Sequence, residues 1–598
     1  MESITHTTKM PDVPSEFAAA VVAGIEGILQ RQQPSGAIIY DPAAPEIYPQ
    51  QSILPLAFCW AGLDPSRRYH RDPRLATAIT RLGDYLLERM TAHGEYHFDS
   101  HGYQVKCVDE RLIYAWTEAL RIVRDAGGDF PFDQWGERIM AACQRLIDNS
   151  LRRLVGLRRF TVRELNTGTN HFALYLTAVY RAGQVLGRPD LCEIALPLAR
   201  ALAHDMHPDG YWDEHSDLQR SGGPTPLYNY LTLCAMGLMA EWTGEEIFCR
   251  TAEKAVDFYC NFNYPDGNPL DLIDERVRYV ASPRDPYIFY DRPMIWALFA
   301  FSRTPAGRSA AARHLQGWLR WPGNKEHASP EALARHCENF MYWHPGEPGV
   351  VPIDRPDHQA LMTLPAGLFR SGPWCVGLSC MRATTPEDPA YRENPFALER
   401  QKLFSIWHER TGVLVDGSHS KHQPENSTFW AHPKQADDYW PLGGTVQAES
   451  GSFVARAVFK TFQGTVRLTP LNERVMQVEF EVDSPASMEP VTAAFTVQPL
   501  ASAITGVSNQ IRQLAAETWS VSGEELGGSF QLGSVKLSGP SSMQVSWPMS
   551  PYNCYAVDHR SSTRAWLLRV SVALTHDQPR AKFLLEITGS SEEESPAT

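Results

Sequence analysis

The sequence predicts a multidomain α+β protein in which an N-terminal (α/α) helical toroid is followed by a C-terminal antiparallel β-sandwich. Three observations predict it. Apolar residues recur with helical spacing through the first half, at about two helices per forty to fifty residues, the mark of stacked helical hairpins. After about residue 325 the pattern gives way to Pro- and Gly-rich stretches such as His344-Pro-Gly-Glu-Pro-Gly-Val-Val-Pro352 and then to short β-type runs. With 598 residues and 43% hydrophobic composition, the chain is too long for one compact core. These features divide it into residues 1–325 (toroid), 326–588 (sandwich) and a disordered tail, 589–598, rich in Glu and Ser.

The helical elements follow in order. Helices are expected over Phe17–Gln32, Ser52–Gly62, Pro73–Thr91, Asp109–Ala126, Gln134–Asn149 and His171–Gly187. Others are expected over Pro189–His204, Pro226–Thr243, Glu245–Asn261, Pro286–Ser302 and Ala306–Leu319. Several open on Pro or a capping residue and close on Gly or Asn, the ordinary start and stop signals. Closing such hairpins into a ring gives a toroid with a central cleft; the same pattern also fits an open superhelix. In the second half, Gln477-Val-Glu-Phe-Glu-Val482 alternates polar and apolar residues, so one face is wet and the other buried. Thr563–Leu574 and Lys582–Ile587 are also strand-like.

Bulk properties narrow the function. The formal net charge is −14, and no long Lys/Arg run offsets it, which argues against nucleic acid as a partner. An acidic sugar remains compatible, because a pocket can be locally basic on an acidic protein. No window of about 18 apolar residues is seen, so no membrane span is expected. The first fifteen residues lack a basic segment followed by an apolar stretch, so no secretory signal is expected. The 11 cysteines are scattered singly and read as reduced thiols. Together these predict a cytoplasmic protein. A homo-oligomer is left open.

The chemistry-bearing residues begin at Asn166-Thr-Gly-Thr-Asn-His171, with Tyr228 and Tyr230 nearly sixty residues further on. Asn170-His171 opens an apolar run of helical period, so the pair falls at a helix N-terminus, where free N–H groups and the helix dipole favour an anion. Taken alone, Asn170 would serve equally as an N-cap and His171 as a packed core histidine. Pro208-Asp-Gly-Tyr-Trp-Asp-Glu-His215 contains an Asp-Gly turn. It leads through Ser221-Gly-Gly-Pro-Thr-Pro226 to Leu227-Tyr-Asn-Tyr230 at a helix start. Residues 416–429 bring His419 and His422 close together, with His408, His432, Asp437 and Asp438 nearby. Histidines with a carboxylate are zinc-type ligands, and His419, His422 and Asp437 are the metal candidates, although their spacing matches no closed structural site. A histidine acting as a second acid/base group is the other reading of this segment.

These motifs, in this order, resemble the heparinase II/III-like polysaccharide lyases, including alginate lyases built on the same plan. The resemblance covers both halves. It rests on Asn170-His171 at a helix start, on the Asp209-Gly210 turn followed by Tyr228, and on the Asp416-Gly-Ser-His419 stretch with its further histidine and Ser427-Thr-Phe429. The departures are a longer interval between the turn and the tyrosine, so that Tyr228 and Tyr230 compete, and a broken His-Gly-His-x-Asp pattern in which Lys421 and Gln423–Asn426 intrude. The resemblance implies cleavage of a uronic-acid-containing poly- or oligosaccharide by β-elimination, leaving a 4,5-unsaturated uronate end. Asn170 and His171 would neutralise the substrate carboxylate, and Tyr228 or Tyr230 would move the proton. His419 would complete the site. Substrate contacts would come from Arg163, Asn166, Arg220, Arg276 and His422, with Arg158, Arg159 and Arg278 as further cations. No cofactor is required, and the broken histidine pattern leaves only a structural zinc in question. Two rivals remain. One is a glycoside hydrolase on the same helical ring, drawing paired carboxylates from Glu118, Asp213, Glu214, Asp271 and Glu275. The other is a non-catalytic carbohydrate-binding protein.

Overall fold

The computed structural model describes the chain apart from residues 1–11, 41–46, 101–102, 158–166, 217–218, 275–292, 321–328, 383–392, 396, 432–437, 485–488, 508, 554–557, 562 and 590–598. The expected tail therefore lies, apart from Gly589, outside the described residues.

Helices occur at α1 Val13–Arg31, α2 Ile53–Trp60, α3 Pro73–Arg89, α4 Glu110–Asp125, α5 Phe132–Leu146 and α6 Thr169–Leu186. They continue with α7 Pro189–His204, α8 Pro226–Thr243, α9 Glu246–Phe262, α10 Leu298–Phe301, α11 Pro305–Arg320 and α12 Pro330–Met341. Local chemistry explains the boundaries. The Asp72 carboxylate accepts the Arg74 N–H before α3, and Asp109 accepts the Leu112 N–H before α4. Gly187 ends α6 in the left-handed region at φ 66°, where a side chain would be strained.

Residue contacts group the chain into two units. The first holds the described residues of Met1–Leu218, Leu227–Asp257 and Pro293–Val350; the second holds those of Gln219–Pro226, Phe258–Arg292 and Val351–Thr598. Thus the helical character runs on past residue 325. α12 is a helix that the expected element order omits, although Ser329 caps it by accepting the Ala332 N–H and Pro330 opens it. The neighbouring Pro/Gly stretch hides this short helix in the sequence. α12 packs on α1 so closely that a methyl group at Gly24 would lie 2.5 Å from Leu333. The Phe17 ring of α1 also stacks on His336 of α12, with centroids 5.4 Å apart.

α1 is long and apolar enough, by length and composition alone, to cross a membrane, a candidate the apolar-window reading of the sequence had passed over. Its buried stripe of Val13, Phe17, Val21, Ile25 and Ile28 packs within the helical unit, as in an amphipathic core helix. A second surprise in this unit is an antiparallel hairpin of β1 Tyr96–Ser100 and β2 Tyr103–Cys107. Of the expected helix Pro286–Ser302, the described part is a 3₁₀ turn, Pro293–Ala297, followed by the short α10.

The second unit is built from antiparallel strands in a 10-stranded and a 9-stranded sheet. Gln477–Val482 falls within the strand Val475–Asp483, whose residues alternate between buried and part-exposed. It pairs with Arg580–Ile587, so the register places Phe480 opposite Ala581. The inward faces of both sheets feed one apolar core, including Phe404, Phe429, Phe480, Phe495 and Phe583. Phe480 sits at its middle, with four of these rings' centroids between 5.8 and 6.1 Å away. Alternation at period two suffices to aim those side chains inward.

Candidate active site

Gly168, with extended backbone and no side-chain cap, is the N-cap of α6. Asn170 and His171 therefore lie in the first turn, beyond the cap, where backbone N–H groups have no helical acceptor. Asn170 is buried, and a methyl group on Gly168 would lie 2.6 Å from its Oδ1 and 2.4 Å from Oε1 of Glu214. Only a glycine lets this amide and this carboxylate crowd over the helix start.

His171 is differently placed. Its side chain is 44% exposed, while Nδ1 lies 2.7 Å from Oε1 of Glu110, whose side chain is only 4% exposed. Burial works against the imidazolium, but attraction and hydrogen bonding to Glu110 outweigh it. The His171 pKa is raised, with Arg111 opposing and Glu214 assisting. The converse holds at Glu110, where burial is outweighed by the His171 charge and hydrogen bond, and the carboxyl pKa falls. One turn along α6, the Tyr175 ring lies 6.4 Å from His171, and burial pushes its phenol up to about 12.

The tyrosines are tied to the same region through the segment after the Asp209-Gly210 turn. That turn is formed, with Gly210 at φ 106° and its N–H donated to the His207 carbonyl. Beyond it, Thr169 at the start of α6 donates its hydroxyl to the Asp213 carbonyl at 2.8 Å. The Asn229 amide brackets Trp212, accepting its N–H at 2.8 Å and donating to its carbonyl at 2.9 Å. The starts of α6 and α8 are therefore both pinned to Trp212–Asp213. Tyr228 and Tyr230 flank Asn229, and at 100° per residue they face nearly opposite ways. Tyr230 is fully buried with its ring against Phe301, whereas Tyr228 is part-exposed. Of the two candidates, Tyr230 is sealed in the core and cannot reach a substrate.

Arg158, Arg159, Arg163, Asn166, Arg276, Arg278 and Asp437 lie outside the described residues. Arg220 lies on the strand Gln219–Pro224, and nothing is described of its side chain. His419 corrects an expectation. It is 2% exposed, Nε2 is 2.9 Å from the Leu272 carbonyl, and Nδ1 accepts the Lys402 N–H. Burial first, then the Arg400 charge, lowers its pKa to about 3, so it is a neutral packed ring and not an acid/base group open to substrate. His422 is about half-exposed, 3.5 Å from Glu399, and sits at φ 56°. Among the described residues, no group of three His, Cys, Asp or Glu side chains is arranged to hold a metal.

The described hydrolase carboxylates differ in their surroundings. Glu118 is fully buried between Arg121 and Arg181, a structural ion cluster. Glu214 is buried beside Gly168, Asp213 and Asp271 are half-buried, and Glu275 lies outside the described residues. Sequence reasoning missed Glu110, which is sixty-one positions from His171, and it also missed Tyr175. Only the second carried a signal, the i, i+4 spacing from His171 on a helix.

The fold, with its helical unit and its unit of antiparallel sheets, is similar to that of solved polysaccharide lyases. Two solved structures illustrate it. A chondroitin AC lyase from Streptomyces coelicolor A3 has 13% identity and TM-score 0.50, with 97% of this chain and 80% of that chain covered. A heparinase III has 9% identity and TM-score 0.51, with 100% of this chain and 89% of that chain covered. No protein-family profile and no curated protein sequence matches the chain.

Proposed function

We propose that the protein is a polysaccharide lyase that cleaves an acidic poly- or oligosaccharide by β-elimination at a uronic acid. Its helices would close into an (α/α) toroid and its two sheets into a β-sandwich. The observation that carries the reading is the pinning of the Asn170-His171 helix start and the Tyr228 helix start to one segment, Trp212–Asp213. The similar solved structures, a chondroitin AC lyase and a heparinase III, support an acidic sugar as the substrate class.

The C5 proton of a uronate is barely acidic while its carboxylate is charged. The His171 cation would neutralise the carboxylate, so that the charge developing as the C5–H bond breaks is stabilised, and Asn170, itself buried, would act only from behind it at the helix start. Tyr228, as phenolate, would take the C5 proton. The electron pair would form the C4–C5 double bond, the C4–O bond would break, and the departing oxygen would receive a proton from the same phenol. An ordinary tyrosine titrates near 10, so ionisation needs nearby positive charge; the His171 cation is the candidate. The ten described cysteines are all free, which accords with a reducing, cytoplasmic setting.

The test is a screen of acidic polysaccharides and their oligosaccharides for ultraviolet absorbance from the unsaturated product, repeated with Tyr228→Phe. Substrate-dependent absorbance that vanishes in Tyr228→Phe, with folding intact, is the expected result. A reducing-end product without absorbance would identify a hydrolase instead. Unimpaired rates in Tyr228→Phe would remove the tyrosine mechanism.

A further inference from the structure

We propose that Glu110 is the positioning residue of His171, holding the Nδ1–H so that Nε2 is the atom presented to the substrate carboxylate. The inference rests on the lyase reading for its consequence, though not for its geometry.

The geometry is that of a buried carboxylate behind an open imidazole. Glu110 Oε1 is 2.7 Å from Nδ1, its side chain is 4% exposed, and that of His171 is 44% exposed. A carboxylate has no proton to give at neutral pH, so the shared hydrogen must sit on Nδ1. That fixes both the tautomer and the ring plane and leaves Nε2 as the outward nitrogen. Glu110 is itself held. It is the first residue of α4, next to the Asp109 cap, and it precedes Arg111, which is anchored to Glu331 at 2.7 Å. A flexible loop carboxylate could not define a ring orientation; one built into a capped helix start can.

Among the described residues, charged and titratable groups face His171 from three elements. From α4 come Glu110 and Arg111, from the strand Asp213–Ser216 comes Glu214, and from α6 itself comes Tyr175. Glu110 and Glu214 favour the imidazolium and Arg111 disfavours it. The sign follows from a raised pKa. The cation persists below that pKa and is lost as pH rises through it. Activity that depends on the cation therefore fails at the alkaline side, and removing the Glu110 charge moves that failure to lower pH.

The test uses the full chain with ¹⁵N-labelled histidine, in wild type, Glu110→Gln and Glu110→Asp, with His171→Gln to assign the resonance. Ring-nitrogen shifts followed against pH report tautomer and pKa directly and need no substrate. The expected result is Nδ1–H in the wild type and a lower His171 pKa in Glu110→Gln. With an active substrate, turnover should fall by about a hundredfold, as for a misplaced reacting group, and the alkaline limb of the rate profile should shift down. Glu110→Asp should restore part of both. An unchanged His171 titration in Glu110→Gln overturns the proposal, even if turnover falls, because the residue would then be merely structural. If Glu110→Gln does not fold, the Asp variant decides: a titration identical to wild type with Nε2–H as the neutral tautomer overturns it. A shifted titration in a protein that cleaves no acidic sugar would sustain the pairing and sink the lyase reading instead.

Discussion

His171 and His419 each sit in a short polar run within a motif that promises acid/base chemistry, yet the fold gives them opposite surroundings. His171 has one nitrogen on a buried carboxylate and the rest of its ring half-open, and its pKa is raised. His419 has both nitrogens engaged by backbone groups of its own unit, 2% exposure, and a pKa lowered to about 3 by burial. A histidine becomes a reactive group through an anion behind it and water in front of it. The same side chain with two backbone partners and no water is a packing element. Neither condition can be read from the residues adjacent in sequence.

The largest expected effect separates the two histidines directly. His171→Ala should cut turnover about a hundred- to a thousandfold, the usual loss for a charge-stabilising donor, an effect larger than the loss of stability from leaving the buried Glu110 carboxylate without its partner. His419→Ala should do the reverse, costing about 1–3 kcal/mol because the Leu272 carbonyl and Lys402 N–H lose their partner. Steady-state kinetics alongside thermal melts checks both, and equal losses of activity without destabilisation would erase the contrast.

Next is the pH dependence of stability, where the two residues act with opposite sign. His419 binds a proton in the unfolded chain below about 6.5 but in the folded protein only near pH 3. Its contribution is therefore present above about pH 6.5 and is lost as pH falls toward 3, at up to about 1.4 kcal/mol per pH unit. His336, buried in the helical unit with a pKa also near 3, adds to the same acid limb. His171, with its raised pKa, instead contributes below its unfolded pKa and loses that contribution as pH rises. Denaturant unfolding from pH 4 to 8 should show a shallower acid limb in His419→Asn than in wild type. An unchanged slope would mean that His419 is not the sealed neutral ring described above.

The smallest expected effect sharpens the environment of His171. Gly168→Ala would drive a methyl group into Glu214 and Asn170. It should destabilise by about 1–3 kcal/mol through overpacking, and it should lower activity by displacing Asn170. Wild-type melting and turnover in Gly168→Ala would show that the start of α6 has room that its geometry denies.

Much of the architecture was legible in the chain. Helical period, Pro starts and Gly stops located most helices, and the alternation around Phe480 located a central strand and its inward face. α12 was overlooked, although Ser329 and Pro330 carry the ordinary start signals, because the Pro/Gly stretch from His344 onward dominates that region. The β1–β2 hairpin was overlooked because two five-residue strands among helices give little period to count. At the site, Asn170-His171 stood out by residue type and by its place before an apolar run. The choice between Tyr228 and Tyr230 did not, since adjacent alternatives on a helix differ only in which way they face once the helix is packed.

The sequence by itself determined the order of a helical half and a β half, the helix start carrying Asn170-His171, and the turn at Asp209-Gly210, because each depends on local backbone preference and hydrophobic period. Only the tertiary structure decided that Glu110 stands behind His171, that Tyr230 and His419 are sealed, and that Trp212–Asp213 ties two helix starts together. Those outcomes join residues far apart in the chain, and burial and pairing there arise from packing between elements that no local pattern encodes.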